Sequence, residues 1–168
     1  MFGRNRRLAT EHTISAVRPF VGIFQNLNGI PAGFWRDEYV LGFLGFMISF
    51  HANYTSGRQL SREDKGHLLN DVFTALSNMN GQAISEEYVR LATLAHKDSD
   101  FEEGADNAAI CAFASIGKMN EQGRPLYEKA KEVAAAQDKP NDLGTIVGVL
   151  MHKLFYERLA ERFNSGAS

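Results

Sequence analysis

The segment from Phe34 to Asn53, FWRDEYVLGFLGFMISFHAN, carries apolar residues on every side of the helix it would form. A helix with no polar face beyond its first turn cannot lie on a surface, so the rest of the chain must wrap around it. Within it, Trp35, Tyr39, Phe43, Phe46 and Phe50 recur at spacings of four, four, three and four, which places them on one aromatic stripe. Gly42, Gly45, Ser49 and Ala52 form an adjoining stripe of small residues, where another backbone can come close. Gly144 and Gly148 offer a matching small patch near the C-terminus, so the second and last helices are expected to cross there.

Around this segment the pattern is helical throughout. Thr10 is positioned to cap a first helix bearing Ile14, Val17, Val21 and Phe24, with a kink or restart at Pro19. Ser61 followed by Glu63 and Asp64 opens a third helix, whose stripe runs Leu68, Leu69, Val72, Phe73, Leu76 and Met79 to the Asn80-Gly81 break. Ser85 is read as the cap of a fourth helix ending near Lys97, and Ser99 or Asp100 as the start of a fifth. Pro125 suits the first turn of a sixth, and Asn141 or Asp142 caps the last, with Leu143, Ile146, Val147, Leu150, Leu154 and Phe155 on one broad face. The expected fold is all-α: a single-domain orthogonal bundle of about six or seven helices around the buried central one. Residues 1–9 would be a basic N-terminal arm and 164–168 a frayed tail.

Composition narrows the function classes. The chain has 168 residues, 44% hydrophobic and 23% charged, which is ordinary for one globular domain. A net charge of -2 supplies no overall field for nucleic acid, and none is expected as a partner. The one cysteine, Cys111, excludes an internal disulfide and sits among Ala109, Ile110, Ala112 and Phe113 with no cation to activate it. A cytoplasmic location is the resulting expectation, because Arg18 and Pro19 interrupt the only apolar stretch placed where a secretory signal would lie. The longest uncharged apolar run, Tyr39 to Phe50, spans 12 residues, about 18 Å of helix, where a membrane core needs ~20 residues. Arg4, Arg6 and Arg7 precede an amphipathic stretch, so peripheral contact with an anionic membrane stays open.

Three groups of residues offer functional readings. The aromatic stripe of Trp35, Tyr39, Phe43, Phe46 and Phe50 could line a pocket for an apolar ligand, although close packing in a core is the simpler use of such rings. Asp64, His67 and Asp71 put an imidazole between two carboxylates on one helical face, half of a metal site that would need ligands from another helix. His152, Tyr156, Leu159 and Phe163 add a stripe to the last helix suited to an interface between copies of the chain. The acidic cluster Asp98, Asp100, Glu102, Glu103 and Asp106 fits a helix N-terminus and fails the spacing of a calcium loop. Phosphate-binding, zinc-protease and serine-hydrolase signatures are absent, so no catalytic residue is assigned and no cofactor is implied.

Leu68 to Glu87, an apolar helix running into Asn-Gly and then Ile-Ser-Glu-Glu, is similar to the helix junctions of tellurite-resistance TerB-like helical domains. That resemblance implies an all-helical fold with metal or partner binding. It departs from the family at Asn80, where the pattern has aspartate, and by one extra residue between Gly81 and Ile84. From the residues themselves, the expected function is a non-enzymatic protein-interaction or regulatory module that self-associates or binds a protein partner. The alternatives are an apolar-ligand binder using the aromatic stripe and a metal-dependent enzyme or sensor using Asp64, His67 and Asp71.

Overall fold

The computed structural model describes residues 2–27, 29–57 and 60–164. It is all-α, with no strand among the described residues. The chain divides into two compact units, Met1–Ala105 and Asp106–Ser168.

Unit 1 contains α1 (Phe2–Leu27), a 3-10 turn (Phe34–Arg36), α2 (Glu38–Ser56), α3 (Arg62–Ser77), α4 (Gly81–Ala92) and the first turns of α5 (Ser99–Ser115). α2 is its centre and packs against α1, α3 and α4. Tyr39 to Gly45, Met47, Ile48, His51 and Ala52 are all buried, so the first two turns have no face for water. The last turns emerge at Ser49 and Tyr54, which are exposed. The all-round apolar segment is therefore the hub of this unit. It is not one helix, however: Phe34 and Trp35 lie on the 3-10 turn, and the Asp37 carboxylate accepts the Val40 N–H at 3.0 Å to start α2 afresh. An apolar count spans that cap without registering it.

Other boundaries moved for similar reasons. α1 starts at Phe2, eight residues before the expected Thr10 cap, because Ala9, Thr13, Val17, Phe20 and Val21 form one continuous buried stripe. Residues 2–9 are thus helical, not a loose arm, and α1 runs on through Pro19. α3 ends at Ser77 with Asn78 left-handed (φ 55°), which leaves Met79 exposed and off the stripe. Asn80 caps α4 by accepting the Gln82 N–H at 3.0 Å, and the expected cap Ser85 is buried one turn inside, donating to the Gly81 carbonyl at 2.8 Å.

The small-residue stripe of α2 receives neighbours from within unit 1. A Cβ on Gly42 would overlap the backbone carbonyl of Phe101, and one on Gly104 would overlap that of Tyr39, so α2 and the start of α5 meet backbone to backbone. Gly45 takes the Tyr88 ring of α4. In unit 2, a Cβ on Gly144 would lie 3.5 Å from the Asp142 carboxylate, and one on Gly148 would meet open space among the described residues. The expected crossing pairs a helix of unit 1 with one of unit 2; within unit 1, the places at Gly42 and Gly45 are taken by Phe101 and Tyr88.

Unit 2 contains the remainder of α5, then α6 (Arg124–Ala135), α7 (Leu143–Met151), a π-helical turn (His152–Tyr156) and α8 (Glu157–Asn164). α6 packs against α7. Asp142 caps α7 by accepting the Thr145 N–H at 2.8 Å. Residues 165–168, most of the expected frayed tail, lie outside the described residues.

Candidate functional site

The aromatic stripe divides into two parts with different environments. Trp35, Tyr39 and Phe43 are buried among other rings: Phe20 of α1 lies 5.4 Å from Phe43, Phe73 of α3 6.3 Å from Trp35, and Phe34 of the same 3-10 turn 4.9 Å from Trp35, centroid to centroid. These tilted and edge-on contacts are core packing, and each fully buried ring is worth ~1.5–3 kcal/mol. Phe46 and Phe50 are half-buried, and with the exposed Tyr54 they form a ladder of near-parallel rings 6.4 and 6.2 Å apart. The upper half of the stripe therefore fills the core and its lower half lies at the surface.

Beside that ladder lies a polar seam between α1 and α2. His51 is buried, edge-on to Phe50 at 5.4 Å and 5.8 Å from the ring of His12. Burial, reinforced by the His12 ring, holds the His51 imidazole down at about 4, so it is neutral at physiological pH. Thr10 and Thr13 on α1 bury hydroxyls that have no hydrogen-bond partner among the described residues. No local pattern marks this seam, because the His12 and His51 pairing depends on the register between two helices.

The three residues of the metal reading are held separately. The Asp64 carboxylate accepts the Ser61 hydroxyl at 2.9 Å and faces Arg6 at 3.7 Å, where it helps to start α3. His67 faces Glu63 at 3.7 Å, and Asp71 is exposed. Among the described residues, no three or more His, Cys, Asp or Glu side chains converge where they could hold a metal ion. In the acidic cluster, Asp98 accepts the N–H groups of Asp100 and Phe101 at 2.9 and 3.1 Å and so caps α5. Cys111 is fully buried and its thiol is pushed up to about 12 by desolvation, which leaves it un-ionised. The arginines of the N-terminal segment are partly used: Arg7 pairs with Glu11 at 2.8 Å and Arg6 with Asp64, while the Arg4 side chain lies outside the description. No helix among the described residues is long and apolar enough to cross a membrane.

In unit 2 the residues of the interface reading flank an irregularity. The Glu157 N–H donates to the His152 carbonyl, five residues back, and this extra residue per turn lets both Leu154 and Phe155 face inward. Leu159 is then buried at 1% exposure, whereas His152 is exposed and Tyr156 and Phe163 are half-buried. His152 and Tyr156 come within 6.5 Å ring to ring, and the Tyr156 hydroxyl reaches the Met151 sulfur at 3.5 Å. The open feature lies on the neighbouring face. Leu126, Ala130 and Val133 of α6 and Val149 and Leu150 of α7 line an apolar groove of about 430 Å³, with Lys129, His152, Lys153 and Glu157 at its edges. His152 alone of the four expected interface residues lines it. The i, i+4, i+7 spacing of Leu126, Ala130 and Val133 is the signal that could have located the α6 wall.

No protein-family model, curated protein or solved structure matches this chain, and the twenty-residue likeness to TerB-like domains carries no functional argument.

Proposed function

We propose that the protein is a non-enzymatic helical interaction module that associates with a second copy of itself through the α6/α7 face of unit 2. The observation that carries this reading is the open apolar groove of about 430 Å³, in which Val133 is left 43% exposed. Helices recognise one another by laying an apolar stripe into such a groove, with charged residues at the rim setting register. Here the rim holds both signs, Lys129 and Lys153 against Glu157, which suits an isologous contact where each surface meets its own copy. The buried, un-ionised Cys111 and the dispersal of Asp64, His67 and Asp71 favour binding over catalysis.

Sedimentation velocity on the full chain tests this. Association is expected to be visible between ~1 and ~100 µM, the range of a modest interface. Val133→Asp places a carboxylate in the groove wall without entering the core, and it should weaken association by at least ~10-fold. A native chain that stays monomeric throughout, or a variant that associates as before, sinks the reading.

A further inference from the structure

Unit 1 has a cleft of its own, about 370 Å³, between α2, α3 and α4. Its size lies within the ~300–1,000 Å³ of sites that hold small organic molecules. The floor is apolar: Ile48 and Ala52 from α2 and Leu68 and Leu69 from α3, themselves buried, with the exposed Val89 of α4 beside them. At the lip stand two cations, Arg62 and Lys65, one turn apart on α3. Neither side chain has a hydrogen-bond or ion-pair partner among the described residues, although Arg6, Arg7 and Arg90 of the same unit are each paired with a carboxylate. No aspartate or glutamate lines the cleft. The lining thus carries two positive charges over an apolar floor, in a chain of net charge -2.

We propose that this cleft binds an amphipathic anion of the fatty-acid type, a single unbranched chain ending in a carboxylate. The chain would lie along Ile48, Ala52, Leu68 and Leu69, and the carboxylate would sit between Arg62 and Lys65. A planar guanidinium can take a carboxylate with two parallel hydrogen bonds, and a lysine beside it adds a second charge. One chain fits the cleft; a two-chain lipid exceeds its volume. The inference goes beyond self-association, and it concerns a different unit, so either can fail without the other.

Calorimetric titration of the full chain with decanoate and with decyltrimethylammonium, the same tail under the opposite charge, tests the proposal. Decanoate should bind one to one and at least tenfold more tightly than the cation. Arg62→Gln with Lys65→Gln should remove that preference, and both changes are at exposed positions. Gly66 lines the cleft and has open space around its missing Cβ, so Gly66→Trp should plug the site while leaving the helical circular dichroism intact. Loss of saturable decanoate binding in the plugged variant supports the site. Equal affinity for anion and cation, or decanoate binding that survives both the double change and the plug, overturns it.

Discussion

His51 sits on the central helix with its imidazole neutral, held down at about 4 by burial first and by His12 second. Unfolded, the same group titrates near ~6.5. Between those values the unfolded chain takes up a proton that the folded chain refuses, so stability falls as pH drops from about 6.5 towards about 4 and is fully present above that window. Allowing for the part of the ring that still meets solvent, the loss should be roughly 2 kcal/mol. Chemical denaturation of the native chain and His51→Leu, at pH values on either side of the window, checks this: the difference between the two proteins should vary with pH by that amount. Two α1 hydroxyls make a second case. Thr13→Val replaces a buried, unpartnered hydroxyl with a methyl of the same shape and should stabilise by about 1 kcal/mol, read from the denaturation midpoint. Gly42 sets two effects against each other. Alanine there gains ~1 kcal/mol of helix propensity, but its methyl would overlap the Phe101 carbonyl, and backbone cannot step aside as a side chain can. Overpacking wins, and Gly42→Ala should destabilise by about 2 kcal/mol or more on the same measurement. The glycine stripe was legible in the sequence as a place of close approach. Its occupant was not, because Phe101 carries no mark of partnership in a one-dimensional pattern and the choice is made by three-dimensional packing.

At the scale of elements, caps decided where the structure departs from hydrophobic periodicity. Asp37 divides the apolar segment into a 3-10 turn and α2, Asn80 starts α4 a full turn before Ser85, and Asp98 starts α5. Each is a short polar side chain that the sequence offers beside equally good candidates, and only the position of the first free N–H groups selects among them. Ser61 and Asp142 are caps where the expectation and the structure coincide: Ser61 accepts the Asp64 N–H at 3.0 Å to start α3, and at Asp142 the Pro140 before it and the apolar run after it leave little choice. Asp142 accepts from both the backbone and the hydroxyl of Thr145 at the start of a nine-residue helix. Asp142→Ala should therefore lower the unfolding midpoint, and Asp142→Asn, which keeps an acceptor, should lower it by less than half as much. Thermal unfolding of the two variants side by side distinguishes capping from a general charge effect, because loss of charge alone would make them equal. The π-helical turn explains why the interface stripe drawn from regular spacing did not survive as a face. His152, Tyr156, Leu159 and Phe163 assume an uninterrupted α-helix, and one inserted residue turns Leu159 into the core.

For the whole molecule, the all-α class and the central role of α2 could be read from the chain, because a helix apolar on all sides admits only one environment. The division into two compact units could not: no proline-rich or glycine-rich linker separates them, and the boundary at Ala105 falls inside the continuous helix α5. The grooves were equally hidden, since each is formed by side chains from two or three helices whose mutual rotation no local pattern fixes. The association proposed for unit 2 has a consequence at this scale that the sedimentation measurement does not share. If unfolding dissociates a dimer, mass action raises the melting temperature with protein concentration. A tenfold increase is worth ~1.4 kcal/mol per dimer, and two chains of this length absorb an unfolding entropy that converts it to about 2 °C. Differential scanning calorimetry over two decades of concentration should therefore move the midpoint by about 4 °C in the native chain and leave Val133→Asp where it is. A midpoint independent of concentration in the native chain would place the apolar groove of α6 and α7 outside any contact between copies, since no dimer stable enough to carry the function can unfold without sensing its own dilution.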